Sequence, residues 1–160
     1  MKYLISAIII CVIISCKKND SIPNDTFHLE MKVNGKNRSF AMCAGWPGGT
    51  GGGQFECVII SDTTLFIVAG CGGYASFLIN SHEKINDGEY LLDSKNIAQV
   101  STGNSAYNSY QTDLLHTGTL MIKKINTNRL QGTFSFVGVD TSGVIGVITK
   151  GSFLMPLTSY

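Results

Sequence analysis

The clearest pattern in the sequence is an alternation of apolar and polar residues that begins close to residue 27. The apolar positions of this first stretch are Phe27, Leu29, Met31 and Val33. Such alternation is typical of a strand with one buried face. The pair Asn34-Gly35 follows, and it favours a type I′ hairpin turn because both central residues adopt positive φ. The pattern therefore predicts a hairpin made of residues 27–33 and 36–42.

Short apolar runs separated by turn residues continue to the C-terminus. Further strands are predicted at residues 55–60, 65–69, 74–80, 89–92, 117–125, 129–138 and 144–154. In one of them Leu130, Phe134 and Phe136 share a face, and polar residues occupy the other. Residues 93–106 are rich in Ser, Asn, Gly and Ala and predict a long loop, with a short strand at residues 97–100 as the alternative.

The predicted fold class is all-β, because no stretch of the chain carries a sustained apolar repeat of 3.6 residues. About nine or ten short strands joined by turns indicate an antiparallel β-sandwich or a closed barrel. A single flat sheet would expose one apolar face, so two layers are expected to cover each other. We favour the antiparallel β-sandwich, with a lipocalin-like closed β-barrel as the alternative.

The N-terminus has the three parts of an export signal: the cation Lys2, an apolar run of eleven residues at 4–14, and the small residue Ser15. The apolar run is shorter than the roughly 20 residues of a membrane-spanning helix. Ile13-Ile14-Ser15-Cys16 resembles a lipobox, which implies a diacylglycerol on Cys16. We therefore predict a lipoprotein signal peptide at residues 1–15, a flexible tether at 16–26 and a single β domain at 27–160.

This organisation predicts a protein of the cell envelope that is tethered to a membrane by its lipid. Two or three acyl chains anchor a protein stably, whereas one chain binds only marginally. The residue after the lipidated cysteine is Lys17, which is not the inner-membrane retention pattern. The sequence therefore favours the outer membrane and leaves open whether the domain faces the periplasm or the cell surface.

Charge and cysteine content narrow the classes of partner. The chain has 12 Lys and Arg and 11 Asp and Glu; cleavage removes Lys2 and leaves 11 of each sign. This balance argues against nucleic-acid binding, which requires clustered cations. Cys43, Cys57 and Cys71 remain beyond the anchor, and an oxidising compartment predicts a disulfide between two of the three. They have no closely spaced ligand pairs, so no metal site is predicted.

A glycine-rich stretch at residues 45–53 is the one local feature that suggests a binding function. Its members include Trp46, Gly48, Gly49, Gly51 and Gly52. A strand rather than a helix follows, and no Lys-Ser or Lys-Thr pair is present, so the stretch is unlike a phosphate-binding loop. We interpret it as a candidate binding loop that carries Trp46 towards a ligand or partner, with a simple cover for one end of the sandwich as the alternative.

Other chemically active residues form no recognisable motif. Three histidines are far apart in sequence: His28, His82 and His116. Asp87, Glu89 and Asp93 lie near one turn without the spacing of a calcium loop, and Tyr107 and Tyr110 are candidates for stacking on a sugar or for ordinary sheet packing. No nucleophile elbow occurs. The sequence therefore predicts no catalytic residues and no cofactor.

The strand and turn residues resemble a group of small lipoproteins of unknown function from Bacteroidetes-type bacteria. The matching segments are the lipobox with Cys16-Lys17-Lys18, Val33-Asn34-Gly35-Lys36, residues 87–91, residues 110–112, residues 118–122, residues 130–136 and residues 148–153. The resemblance implies the fold and the envelope address but contributes no catalytic residues. The glycine-rich stretch and the three cysteines depart from the pattern of this group.

Together these observations predict a non-enzymatic module that binds a small ligand, a glycan or an envelope protein. One alternative is a periplasmic inhibitor of a lytic enzyme, which would bind its partner through a protruding loop such as residues 45–53. The other is an envelope hydrolase, which would bring a histidine or paired carboxylates from distant strands into one cleft.

Overall fold

A computed structural model of the chain describes residues 27–41, 55–70, 73–103 and 109–159. These residues form eleven strands and, within this part of the chain, no helix. The strands are β1 (His28–Val33), β2 (Lys36–Ala41), β3 (Phe55–Ser61), β4 (Thr64–Gly70), β5 (Tyr74–Asn80), β6 (Gly88–Leu92), β7 (Ile97–Ser101), β8 (Ser109–Gln111), β9 (Gly118–Asn126), β10 (Arg129–Val139) and β11 (Ile145–Ser159). The all-β prediction is confirmed.

All eleven strands belong to one sheet in the order β2-β1-β11-β3-β4-β5-β7-β8-β10-β9-β6. Every pairing is antiparallel except the short one between β3 and β11. β11 also pairs with β10 over most of its length, so the sheet curls back on itself. The result is an antiparallel half-barrel, an architecture compatible with both the predicted sandwich and the barrel alternative.

The β1–β2 hairpin turns where the sequence predicts it. Asn34 has φ 50° and Gly35 has φ 78°, the positive values that this turn requires. The turn also contacts the long strand β11, because the Asn34 backbone N–H donates to the Val147 carbonyl at 2.9 Å. In return the Val147 N–H donates to Asn34 Oδ1 at 2.8 Å. The asparagine therefore both shapes the turn and holds it against β11.

The concave face of the sheet encloses one hydrophobic core. Its fully buried members include Leu65, Ile67, Phe77, Ile79, Leu92, Leu120 and Met155. Phe77 contacts Phe134 and Phe136 edge-on, with ring centroids 4.7 and 6.4 Å apart. Edge-to-face contacts of this kind add about 0.5–1.5 kcal/mol beyond the area that they bury. The face of β10 with Leu130, Phe134 and Phe136 is buried as predicted.

Two glycine–phenylalanine pairs join β10 to β11 at the closure of the sheet. Gly132 lies opposite Phe153, and Phe134 lies opposite Gly151. A Cβ on either glycine would come within 3.0 Å of the facing phenyl ring, closer than folded proteins allow. Each ring therefore covers the glycine on the neighbouring strand, and the two strands pair in this register with their rings in place because those positions lack side chains.

A bulge interrupts β11 beside these pairs. The register between β10 and β11 shifts between Phe134 and Phe136, and the register between β1 and β11 shifts between Glu30 and Lys32. Lys150 lies at the shift with φ 52°, a left-handed conformation that is unfavourable for a residue with a Cβ. Such a bulge bends its strand and increases the local twist, which helps a long strand follow a curled sheet.

The prediction of one long loop at residues 93–106 is wrong, and its strand alternative is correct. Residues 97–101 form β7, in which Ala98 and Val100 are fully buried. Thr112 fixes this strand in place, since its N–H donates to the Ala98 carbonyl at 3.0 Å and its Oγ1 accepts from the Ala98 N–H at 3.0 Å. Pairing with β5 and β8 therefore makes a strand of a segment whose local composition is typical of a loop.

Candidate functional site

A cavity of about 390 Å³ lies at one end of the half-barrel. Its walls are formed by the apolar side chains of Ile59, Leu65, Ile85, Ile122, Leu130 and Leu157. These residues come from β3, β4, the β5–β6 connection, β9, β10 and β11. The curl of the sheet therefore brings together six separate parts of the chain that share no local motif.

The connection between β5 and β6, residues 81–87, forms one side of the cavity. The Ser81 N–H donates to the Thr63 carbonyl at 2.8 Å, and the Ile85 N–H donates to the Asp62 carbonyl at 2.7 Å. These bonds fasten the connection to the β3–β4 turn. They direct the partly buried Ile85 to the core and cavity wall.

The tyrosine hydroxyl of β6 secures the same connection from the other side. Tyr90 Oη accepts from the Asn86 N–H at 3.0 Å and donates to the Asn86 carbonyl at 2.8 Å. The two bonds satisfy the backbone groups of Asn86, a residue that also lines the cavity. The wall is therefore held by backbone and tyrosine hydrogen bonds rather than by apolar packing alone.

Charged and polar side chains surround the mouth of the cavity. Lys84 Nζ lies 3.3 Å from Asp62 Oδ1, and both side chains are well exposed, at 67% and 77%. A pair with that exposure contributes about 0–1 kcal/mol, so it restrains the mouth only weakly. Asp87 Oδ1 accepts from the Lys124 N–H at 2.8 Å. The cavity thus has an apolar interior and a rim of both charge signs.

Several predicted site residues lie outside the described part of the chain. They are Cys16, Cys43, Trp46, Gly48, Gly49, Gly51, Gly52, Cys71 and Tyr107. Cys57 belongs to β3, where it lies opposite Ile67 of β4. The lipidation site, the candidate binding loop and the disulfide between two of the three cysteines therefore remain predictions.

The three histidines do not come together into one site. His116 Nδ1 lies 2.9 Å from Asp113 Oδ1, within a single turn between β8 and β9. His28 lies on β1, and His82 is exposed in the β5–β6 connection. The described residues give His116 no hydroxyl or thiol partner, so the contact is a feature of the turn and lacks a nucleophile.

Asp113 organises that turn. Its Oδ1 accepts from the Leu115 N–H at 2.8 Å and from the His116 N–H at 2.7 Å. The His116 N–H and then the Leu115 N–H lower the pKa of the Asp113 carboxyl below its usual value, and the His116 side chain adds to this effect. The carboxylate is therefore ionised and fixed in orientation.

The carboxylates Asp87, Glu89 and Asp93 lie near one turn in the sequence, but Asp87 and Asp93 bind different backbone segments. Asp87 bonds to the β9 backbone, whereas Asp93 Oδ1 accepts from the Lys95 and Asn96 N–H groups at 2.7 and 2.9 Å. The Asn96 and Lys95 N–H groups lower the pKa of Asp93. Within the described ranges no group of three His, Cys, Asp or Glu residues is arranged to hold a metal ion.

Tyr110 is a sheet aromatic rather than an exposed platform, as the second of the two interpretations proposed. It is 9% exposed, and its ring covers Gly146 so closely that a Cβ there would overlap it. The apolar cavity residues were missed at the level of sequence because all but Ile85 are ordinary residues of strands, and Ile85 lies in a connection without a motif. Leu130 lies between the polar residues Arg129 and Gln131, and this alternation is the signal that places it on the concave face. Leu65 and Ile122 lack that signal, because Phe66 and Met121 beside them are also apolar.

Comparison with known proteins gives one match. The family model described as a domain of unknown function (DUF6252) matches residues 52–155, more than half of the chain. No curated protein and no solved structure matches. The part of the chain that the structure describes contains no helix with the length and hydrophobicity needed to cross a bilayer.

Proposed function

The chain belongs to the DUF6252 family of domains of unknown function, and we propose that it is a lipid-anchored envelope protein that binds a small amphiphile in the cavity of the half-barrel. The observation that carries this proposal is the cavity of about 390 Å³ with apolar walls and a polar rim. Ligand pockets of soluble proteins typically measure about 300–1,000 Å³ and combine apolar walls with a few polar groups.

The distribution of polarity specifies an amphiphile. Ile59 and Ile85, which are partly exposed, and Leu157, which is 8% exposed, line the cavity and have no hydrogen-bonding side chain, so they favour an apolar ligand body. Asn86, Asp87 and Lys124 at the mouth would favour a polar head that stays close to water. A wholly polar ligand would lose its hydration against the apolar walls without replacement.

The envelope address rests on the N-terminal sequence. A signal with a lipobox-like end supports lipidation of Cys16, and Lys17, which is not the inner-membrane retention pattern, supports an outer-membrane location. Arg129 Cζ lies 5.7 Å from the centre of the Phe27 ring, at the start of β10 beside the cavity residue Leu130. The domain therefore begins near the cavity end, which would keep the mouth close to the tether.

Binding can be tested with a matched pair of substitutions, using decanoate to displace anilinonaphthalene sulfonate fluorescence. Ile85→Asn places an amide in the cavity wall, whereas Ile145→Asn makes the same change at a site that is 54% exposed on β11. We expect Ile85→Asn to weaken decanoate binding by about tenfold or more and Ile145→Asn to leave it unchanged. Equal affinities in the two variants, at equal thermal stability, would refute binding in the cavity.

The anchor is tested separately by Cys16→Ser. The wild-type protein is expected to float with membranes and to carry the mass of its acyl chains, and the variant is expected to lose both properties. A variant that still floats with the same acylated mass would overturn the lipidation proposal. Because decanoate binding is measured on the domain, that outcome leaves the cavity proposal standing.

We further propose that the disulfide joins Cys43 and Cys71. The described residues that flank these cysteines converge: Ala41 ends β2, Gly70 ends β4, and a Cβ on Gly73 would lie 3.4 Å from the Phe40 ring. Three or fewer residues separate Phe40 from Cys43 and Gly73 from Cys71. An oxidising envelope favours a disulfide between two of the three cysteines, and the contact between the flanking residues Phe40 and Gly73 supports the pairing of Cys43 with Cys71.

A second candidate function is the binding of a partner protein, and one observation favours it. Leu114 and Leu115 are 80% and 87% exposed at the tip of the turn that Asp113 holds rigid. Two adjacent exposed leucines on a rigid turn are typical of an interaction site rather than of a random surface. The inhibitor alternative, which requires a protruding loop, would use this turn. If Leu114→Ser with Leu115→Ser left capture of every envelope partner unchanged, the candidate would be rejected.

The hydrolase alternative has less support. Asp113 and Asp140 come from different turns and line one shallow cleft, as paired catalytic carboxylates would. A glycosidase acid needs a raised pKa, whereas the turn N–H groups lower the pKa of Asp113. We therefore propose binding without turnover. This part of the proposal would be refuted if the protein hydrolysed an envelope polymer and if Asp113→Asn and Asp140→Asn abolished that hydrolysis.

A further inference from the structure

A second depression lies at the opposite end of the sheet from the cavity, on the convex face of β5, β7, β8 and β10. It has a volume of about 370 Å³. Its lining residues are Tyr74, Gln99, Ser109, Gln111, Thr112, Asp113, Val139, Asp140 and Thr141. Only Val139 among these residues is aliphatic, and no lysine or arginine is present. We call this depression the polar cleft.

The register of the strands explains why these side chains share one face. Gln99 lies opposite Gln111, and Gln111 lies opposite Val139. Residues that are directly opposite point to the same side of a sheet. The neighbouring residues Ala98, Val100 and Tyr110 face the core. The row on the side away from the core is therefore polar on β7 and β8, at Gln99 and Gln111, and ends at Val139 of β10, beside Asp140.

Tyr74 contributes an aromatic surface that is fixed at its far end. The side chain is 36% exposed, and its hydroxyl lies 3.4 Å from Ser109 Oγ. Gln99 Nε2 donates to the same Ser109 Oγ at 2.8 Å. The ring is therefore held across the strands with part of its surface accessible, while Ser109 itself is 8% exposed. A pre-oriented aromatic ring loses little conformational entropy when a ligand stacks on it.

Two carboxylates at the edge of the cleft are oriented by their own turns. Asp140 Oδ1 accepts from the Ser142 and Val144 N–H groups, each at 2.8 Å. Asp113 Oδ1 is held in the same way. The second oxygen of each carboxylate has no hydrogen-bond partner among the described residues, and an ionised carboxylate has about four acceptor positions. Both groups can therefore accept hydrogen bonds from a ligand without rearranging.

We propose that the polar cleft binds a neutral oligosaccharide, with one sugar ring against Tyr74 and its hydroxyl groups on Gln99, Gln111, Asp113 and Asp140. Sugar hydroxyls both donate and accept, which matches amide side chains beside oriented carboxylates. An anionic ligand would meet two carboxylates and no cation. A purely apolar ligand would bury the polar groups without replacing their hydration.

The test is a titration of the domain with the hexasaccharides of glucose and of N-acetylglucosamine, followed by amide chemical shifts in NMR. We expect saturable shifts at β7, β8 and residues 140–143 with at least one sugar. Tyr74→Ala is expected to weaken that binding by about tenfold or more. Tyr74→Phe keeps the ring and is expected to bind nearly as well as the wild type. Met121→Ala, 43% exposed on β9, is the distant control.

The proposal is overturned if no hexasaccharide shifts the cleft amides at millimolar concentration, or if Tyr74→Ala binds as tightly as Met121→Ala. If Tyr74→Ala does not fold, the exposed Gln111→Ala replaces it, and undiminished binding by that variant has the same meaning. Spermidine serves as a cationic probe, and binding of spermidine alone would show that the carboxylates recognise amines instead. The cavity plays no part in any of these outcomes.

Discussion

Replacing Gly151 with alanine tests how β10 and β11 close the half-barrel. The added Cβ would come within 3.0 Å of the Phe134 ring, and that ring is itself fixed by Phe77 at 4.7 Å. Because the ring cannot move away freely, the methyl overpacks the core, which typically costs about 1–3 kcal/mol. Gly103→Ala is the matched control, since a Cβ there meets nothing within 4 Å. We expect this control to leave stability nearly unchanged.

A double-mutant cycle with Phe134→Ala isolates the contact. Phe134→Ala alone should cost about 3–5 kcal/mol because it empties a buried site. Once the ring is gone, the three nearest atoms that a Cβ on Gly151 would meet are removed, and Gly151→Ala should stabilise the strand by about 0.5–1 kcal/mol through reduced backbone entropy in the unfolded chain. The change of sign corresponds to a coupling energy of about 1.5–4 kcal/mol between the two positions.

Urea unfolding followed by circular dichroism measures all four proteins of the cycle. For m values of about 1–3 kcal/mol per molar urea, the change from Gly151→Ala should move the midpoint on the order of 1 M. The reasoning is refuted if Gly151→Ala has the same effect with and without the Phe134 ring. It is also refuted if Gly151→Ala and Gly103→Ala cost the same in the wild-type background.

Three further predictions concern separate features. Lys150→Gly should raise the free energy of unfolding by up to about 1 kcal/mol, because a φ of 52° suits glycine. Lys150→Val should lower it. A glycine variant that is less stable than the valine variant would exclude backbone strain at the bulge. Because the folded pKa of Asp113 is below the ordinary 3.8, its stabilising effect is present above the unfolded pKa and is lost as pH falls through the folded pKa. The stability advantage of the wild type over Asp113→Asn should therefore shrink below about pH 4, and a difference independent of pH would contradict this. If a disulfide joins Cys43 and Cys71, reduction of the exported protein should raise its intact mass by two hydrogens in mass spectrometry. Cys43→Ser should abolish this mass gain, and Cys57→Ser should preserve it.

Local patterns were sufficient for the hairpins. The Asn34-Gly35 turn and the break between the predicted strands 117–125 and 129–138 depend only on adjacent residues. The structure has the hairpins β1–β2 and β9–β10 at these two positions. The inward face of β10 could also be read directly, because Leu130, Phe134 and Phe136 alternate with polar residues. In these segments local preference and long-range packing agree.

Elements that depend on distant partners were not predictable in the same way. β7 has a loop-like composition and becomes a strand because β5 and β8 flank it, while the three residues of β8 are too few to show a period. The extension of β11 to Ser159 depends on parallel pairing with β3, a hundred residues earlier in the chain. Composition alone contains no information about such a partner.

The candidate sites follow the same rule. The cavity needs inward-facing residues from several strands, so it exists only once the sheet curls. The polar cleft needs the register of β7, β8 and β10, which no single strand determines. The turn at Asp113 is the exception, because an aspartate side chain that accepts from the backbone N–H groups two and three residues later is a local turn motif.

The central claim is that the end of the half-barrel holds the apolar part of a small amphiphile. The most direct measurement is a set of isotope-filtered nuclear Overhauser effects between bound decanoate and the methyl groups of the protein. We expect contacts from the decanoate chain to the methyl groups of Ile59, Ile85 and Leu157. Contacts confined to the exposed methyl groups of Val144, Ile145 and Val147, or no intermolecular contacts at saturating decanoate, would contradict it.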